Sequence, residues 1–129
     1  MPKFKLPMKL VANTGKLVNN DEFLKLLITD KQSAGSSVPL ELIASIAEAA
    51  PELEPEEFDV CPALLVHPAE DRWTPVEISR LFFDKLNCSK KIVMLDNAGH
   101  FPIEQPGMTQ LENAVIEFLE EINSDYRKK

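Results

Sequence analysis

The sequence predicts an α/β fold in which two short parallel core strands are flanked by helices. Two short, mainly apolar runs, Ala63–Val66 and Lys91–Leu95, are typical of strands that are buried on both faces. Helical periodicity follows each of them, at about Pro75–Leu86 and at Met108–Asn123. Strand, helix, strand and helix joined by short connections indicate parallel strands and a right-handed crossover.

The spacing of apolar residues also predicts which helix faces pack inward. For the helix after the first strand, the predicted inward face contains Ile78, Leu81, Phe82 and Leu86. For the last helix, the predicted inward face contains Leu111, Val115, Phe118, Leu119 and Ile122.

The first 57 residues differ in character from the rest and predict a separate, mainly helical segment. Residues 1–20 are punctuated by prolines and by an Asn-Thr-Gly sequence, which predicts a loop. Asp21 is a candidate N-cap for a helix whose apolar residues are Phe23, Leu24, Leu27 and Ile28. Residues 32–38 are rich in serine and predict a connector.

A second short helix is predicted over Leu40–Ala50. Its apolar side contains Leu40, Ile43, Ala44 and Ile46. The acidic, proline-bounded run at 51–57 then marks the best internal boundary. We therefore expect a helical segment at 1–57 and an α/β segment at 58–129.

Composition excludes several classes of protein. In a chain of 129 residues, 44% hydrophobic content is enough to bury a core, so general disorder is excluded. A net charge of −7 argues against non-specific nucleic-acid binding, although the first 20 residues carry four lysines and no acid. No apolar run is long enough for a membrane span, and the N-terminus lacks the apolar core of a signal peptide. The only two cysteines, Cys61 and Cys88, predict no disulfide scaffold, so we expect a reducing, cytoplasmic setting.

Two loops of the α/β segment each contain a residue type used in acid–base catalysis. Asp71 follows the first strand, and His100 follows the second. Because the carboxyl ends of neighbouring parallel strands meet at one edge of a sheet, we expect the two side chains to approach each other. An aspartate that accepts the Nδ1–H of a histidine fixes its tautomer and stabilises the imidazolium. From spacing alone, the more common case is structural, with Asp71 capping the next helix and His100 bonded to backbone.

Two motifs favour a catalytic role for Asp71 and His100. The segment Cys61-Pro-Ala-Leu-Leu-Val-His-Pro-Ala-Glu-Asp71 resembles the penultimate core strand and acid loop of α/β-hydrolases. The segment Asp96-Asn-Ala-Gly-His100-Phe-Pro-Ile-Glu-Gln-Pro106 resembles the histidine loop of the same family, G-H-x-x-x-x-E-x-P. The acid also precedes the histidine, as in that family. The resemblance implies a partial α/β-hydrolase-like fold over residues 58–122, with Asp71 as the triad acid, His100 as the general base and residues 1–57 as a helical cap remnant.

The chain departs from this family in one respect. A nucleophile elbow of the form G-x-S-x-G is absent from the sequence, and so is an oxyanion-hole loop before it. The nearest candidate, Ser33-Ala-Gly-Ser-Ser37, lacks the flanking glycines and does not lie between a buried strand and a helix. We therefore expect the chain to be inactive alone, as the C-terminal part of an ester-hydrolysing enzyme whose serine lies elsewhere.

Several other residues have a possible functional role and a competing structural one. Trp73 and Phe101, next to the acid and the histidine, are candidates for substrate binding, and Trp73 equally suits a role in covering its loop. We expect His67 to bond to backbone rather than to join the site. Glu104 suits a structural role in holding the histidine loop. No spacing of histidine and acidic residues matches a metal motif, and no cofactor is implied.

The expected partners follow from the same features. A completed enzyme takes a small ester-like substrate, whose acyl or alcohol group we expect near Phe23, Leu24, Leu27, Trp73 or Phe101. Two strands leave two unpaired sheet edges, so we expect self-association or docking of a separate N-terminal portion, with neither nucleic acid nor membrane as a partner. The alternative function is a non-catalytic α/β scaffold that acts as an oligomerisation or binding module.

Overall fold

The computed structural model describes residues 4–32 and 36–128 of the chain. Helices and strands are mixed, and the strands form two small sheets. The strands are β1 (Lys5–Pro7), β2 (Ser37–Pro39), β3 (Ala63–Pro68) and β4 (Lys90–Leu95). The helices are α1 (Met8–Val11), α2 (Asp21–Thr29), α3 (Leu40–Glu48), α4 (Val76–Phe83) and α5 (Gly107–Tyr126).

Strands β3 and β4 pair in parallel, which confirms the central prediction of fold class at the level of a mixed α/β arrangement. Their register places Pro68 opposite Leu95, so both strands end at the same level. Two backbone hydrogen bonds extend this alignment beyond the strands: the N–H of Ala69 donates to the carbonyl of Leu95, and that of Glu70 donates to the carbonyl of Ala98. These hydrogen bonds join the two loops that follow the strands, at positions just before Asp71 and His100.

Helix α5 begins in close contact with the loop that follows β4. A Cβ atom added at Gly107 would lie 2.7 Å from the Cβ of Ala98 and 2.9 Å from the carbonyl oxygen of Asp96. Ala98 and Leu95 are almost fully buried at this contact. Gly107 therefore allows the first turn of α5 to pack directly against the loop.

The N-terminal segment contains more regular structure than the loop predicted for residues 1–20. Lys5–Pro7 forms β1, which pairs antiparallel with β2, and α1 follows directly. Three-residue strands that contain proline carry almost no local sequence signal, because their pairing partner is distant in the chain. The prediction of a connector at 32–38 is likewise wrong for Ser37 and Val38, which belong to β2; residues 33–35 lie outside the described ranges.

Helix α2 begins one residue earlier than its predicted cap implies. Asn20, rather than Asp21, is the N-cap, because its Oδ1 accepts a hydrogen bond of 2.9 Å from the N–H of Phe23. Asp21 is instead the first helical residue, where a carboxylate is favoured by the helix dipole. In α3, the predicted apolar side is only partly covered, since Leu40 and Ile46 are exposed.

The predicted inward face of α4 is largely wrong. Phe83 and Leu86 are buried, whereas Ile78, Leu81 and Phe82 are 57%, 72% and 52% exposed. A sheet of two strands offers little surface for a helix to cover, so part of the apolar face has no neighbour. Helix α5 shows the same effect more weakly: Leu111, Phe118 and Ile122 are half-buried, while Val115 and Leu119 are exposed.

Candidate acid–histidine site

The structure brings Asp71 and His100 together at the carboxyl edge of the β3–β4 sheet. Asp71 Oδ2 lies 2.8 Å from His100 Nδ1, although 29 residues separate them in the sequence. The Asp71 side chain is 2% exposed and that of His100 is 27% exposed. The acid is thus enclosed by the loops, while the imidazole retains access to solvent.

The loop after β3 holds Asp71 by hydrogen bonds from the residues that follow it. Asp71 Oδ1 accepts from the backbone N–H of Trp73 at 2.8 Å and from that of Thr74 at 3.0 Å. The Thr74 hydroxyl donates to Asp71 Oδ2 at 2.8 Å and lies 3.0 Å from His100 Nδ1. This local turn is the structural role anticipated for the aspartate, and it coexists with the contact to His100.

These contacts keep Asp71 ionised. Burial by itself raises the pKa of a carboxyl group. Here the hydrogen bonds from Thr74, His100 and Trp73 outweigh it and lower the pKa of Asp71 from 3.8 to about 2. At neutral pH the carboxylate is then only a hydrogen-bond acceptor, so the nearby Nδ1 of His100 must carry a hydrogen. In the neutral imidazole the Nε2 atom therefore holds the lone pair, as a general base requires.

Thr74 is the residue of this cluster that sequence reasoning missed. Its hydroxyl bridges the acid and the base, and its N–H stabilises the carboxylate. A signal was present: a threonine three residues after an aspartate and directly before a proline is typical of a turn closed by side-chain hydrogen bonds.

The loop after β4 is fixed by residues on both sides of His100. Gln110 accepts from the N–H of Asp96 at 2.7 Å, and its amide donates to Asp96 Oδ2 at 2.8 Å. Asn97 adopts a positive φ of 53° and donates its side-chain N–H to the carbonyl of Gln105 at 2.8 Å. Asparagine is one of the few residues that tolerate this backbone conformation, which reverses the chain between β4 and His100.

Glu104 joins the histidine loop to the N-terminal segment. One carboxylate oxygen accepts from the N–H of Gly99 at 3.1 Å, and the other accepts from the N–H of Asn19 at 3.0 Å. In addition, the N–H of Phe101 donates to the carbonyl of Leu17 at 2.9 Å. The expected structural role of Glu104 thus has a geometric basis, and residues 17–19 are part of the support for His100.

Two aromatic rings contact the imidazole. The centroid of the Trp73 indole lies 4.5 Å from that of His100 in an edge-on arrangement, and the Phe101 ring lies at 5.5 Å. Both rings also line a cavity of about 380 Å³. Of the residues expected near a substrate, Leu27 lines the same cavity, while Phe23 lines a separate recess beside Leu26.

The remaining candidates lie outside the acid–histidine contact. His67 is buried in β3, and its Nδ1 lies 2.9 Å from the carbonyl oxygen of Pro68, so the expected backbone bond is present. Cys61 is exposed, Cys88 is half-buried and both are free thiols. Ser36 lines the cavity, but within residues 4–32 and 36–128 no serine or cysteine side chain is hydrogen-bonded to His100.

Among the described residues, no group of three or more His, Cys, Asp and Glu side chains converges as a metal site. No helix formed by those residues is both long and apolar enough to cross a membrane. Comparison with known protein families, curated proteins and solved structures finds no match for this chain.

Proposed function

We propose that this chain carries the acid and the base of a serine-hydrolase-type site and corresponds to the C-terminal part of an α/β-hydrolase. The observation that carries the proposal is the 2.8 Å contact between the enclosed, ionised Asp71 and Nδ1 of the more exposed His100. A structural aspartate needs no histidine partner, and a structural histidine needs no ionised acid behind it. The pair combines both features at the edge of a parallel sheet, where ligands bind in such folds.

The chemistry follows from the protonation states. His100 Nε2 accepts the proton of an attacking serine hydroxyl, and the ionised Asp71 stabilises the imidazolium that forms. The serine oxygen bonds to the ester carbonyl carbon, and His100 returns the proton to the alcohol that leaves, so that the acyl group remains on the serine. His100 then takes a proton from a water molecule that attacks this acyl-serine, and returns it to the serine oxygen as the carboxylic acid is released. This chain contains no G-x-S-x-G motif. In the proposal, the serine therefore lies on a separate segment that docks at the sheet. The two motifs that resemble the acid and histidine loops of α/β-hydrolases support the same assignment.

The test is turnover of p-nitrophenyl butyrate, with a fluorophosphonate probe for an activated serine. We expect neither His100-dependent turnover nor labelling of the chain alone. Co-expression with a segment that carries a strand, a G-x-S-x-G turn and a helix should restore both, and His100→Ala should abolish turnover again. A labelled serine in the isolated chain would contradict the proposed external nucleophile. Restored turnover that is unaffected by His100→Ala would contradict the assigned base.

The alternative function, a non-catalytic module that associates through its surface, is favoured by a different observation. Leu81 and Phe82 on α4 are 72% and 52% exposed, and Ile78 lies beside them on the same helix. Contiguous exposed apolar surface of this kind is typical of protein interfaces. Association of the chain without restorable turnover would favour this alternative, whereas restored turnover would favour the hydrolase.

A further inference from the structure

The cavity beside the acid–histidine pair is built from two distant parts of the chain. Trp73 and Phe101 contribute the aromatic wall that also contacts His100. Other lining residues come from the N-terminal segment, and they include Met8, Ala12 and Leu17. A group bound in this cavity therefore lies against Trp73 and Phe101, the two residues whose rings contact His100. The N-terminal segment contributes the rest of the shape of the cavity.

Among the described residues that line this cavity, none carries a charge. Its polar members are Thr14, Gln32 and Ser36, and the others are apolar. An anionic group placed here loses hydration without gaining a cationic partner, which is costly.

The size of the cavity limits the ligand further. A dry protein cavity of about 150 Å³ holds benzene, and this cavity measures about 380 Å³. It lies near the lower end of the range for small-molecule sites, which begins at about 300 Å³. The volume suits a short aliphatic chain or a single ring with a short substituent.

We infer that this cavity binds the aliphatic or aromatic portion of a small neutral ester and excludes the corresponding carboxylate. The assignment of the ligand as a substrate rests on the proposed hydrolase function, because it takes His100 as the reacting group. The preference for a neutral ligand is a property of the cavity itself. It also implies that the carboxylate product of ester hydrolysis leaves the site readily.

Trp73 provides a direct readout, because it is the only tryptophan in the chain. Ethyl pentyl ketone has the shape of methyl hexanoate but cannot be hydrolysed, so it reports binding without turnover. We expect saturable changes in Trp73 emission with the ketone and at least about ten-fold weaker binding of hexanoate. Hexanamide, which matches hexanoate in size but is neutral, should bind more tightly than hexanoate.

Two variants test whether the ligand occupies this cavity. Ala12→Phe should fill the cavity and weaken ketone binding at least about ten-fold. Leu10→Phe, at a 73% exposed position of the adjoining helix α1, should not. Gln32→Lys should introduce a cation and tighten hexanoate binding, a gain that misfolding cannot produce. Circular dichroism verifies that the Ala12 variant remains folded.

Several results would overturn the inference. These are equal or tighter binding of hexanoate, ketone binding that is unchanged in Ala12→Phe, and no saturable binding of either ligand by fluorescence and by ligand-observed NMR. Ketone binding with the expected preference, together with no restorable ester turnover, would instead refute the proposed function and leave the neutral apolar site in place.

Discussion

At the carboxyl edge of the β3–β4 sheet, both carboxylate oxygens of Asp71 have hydrogen-bond partners, whereas on α4 large apolar side chains face solvent. The first region is assembled from short loops that follow strands of matched length, so it needs β3, β4 and the start of α5, together with the support that residues 17–19 give to the histidine loop. The second region needs a wider sheet than two strands provide. The difference indicates that the acid–histidine arrangement is determined by a few short segments, while the two-strand sheet leaves part of the apolar surface of α4 uncovered.

The largest effect on the free energy of unfolding is expected for Asp71→Ala. This change leaves two backbone N–H groups and the Thr74 hydroxyl without their acceptor, so the free energy of unfolding should fall by about 2–4 kcal/mol. Chemical denaturation measures the loss, and Asp59→Ala at an exposed aspartate is the control. A loss equal to that of the control would show that the edge of the sheet is not locally determined.

The pH dependence of the free energy of unfolding should reveal the ionisation of Asp71. The folded pKa of Asp71, about 2, lies below its ordinary value of 3.8, so its contribution is complete above about pH 4 and is lost as the pH falls toward 2. The shift corresponds to about 2 kcal/mol for this enclosed carboxylate. Denaturation of the wild type and of Asp71→Asn at several pH values isolates this contribution. Parallel stability curves for the two proteins across that range would contradict it.

A smaller effect is expected for Glu104→Ala, which separates the histidine loop from the N-terminal segment. The N–H groups of Gly99 and Asn19 lose a shared acceptor, which should cost about 1–2 kcal/mol. Hydrogen exchange should accelerate at both amides, while the exposed Glu112→Ala on α5 leaves them unchanged. Unaltered exchange in Glu104→Ala would mean that residues 17–19 do not support the site.

The smallest effect on unfolding is expected at the α4 surface. Leu81→Lys should change the free energy of unfolding by less than about 0.5 kcal/mol, because this side chain is 72% exposed. It should nevertheless reduce self-association at roughly tens of micromolar in sedimentation experiments, since it places a charge in an apolar surface. Leu10→Lys, at an exposed position of α1, is the control. Association that persists unchanged in Leu81→Lys would exclude the α4 surface as the interface.

The comparison also explains how much the sequence predicts. The approach of Asp71 to His100 follows from two apolar strands and the rule that parallel strands end at one edge, and the structure has that arrangement. The exposure of Leu81 does not follow, because periodicity identifies residues that share a face but not what covers the face. Strand β1 was missed because its pairing with β2 is a long-range interaction that three residues cannot signal.

The central claim is that Asp71 holds His100 with its Nε2 lone pair available, and nitrogen-15 NMR of the imidazole tests it most directly. The chain contains two histidines, so His67→Gln assigns the remaining signals to His100. The neutral ring should be the Nδ1–H tautomer in the wild type, and Asp71→Asn should shift it toward Nε2–H, because an amide is able to donate to Nδ1. An Nε2–H tautomer in the wild type would contradict the account, since the lone pair would then lie on Nδ1, which faces Asp71, and not on Nε2.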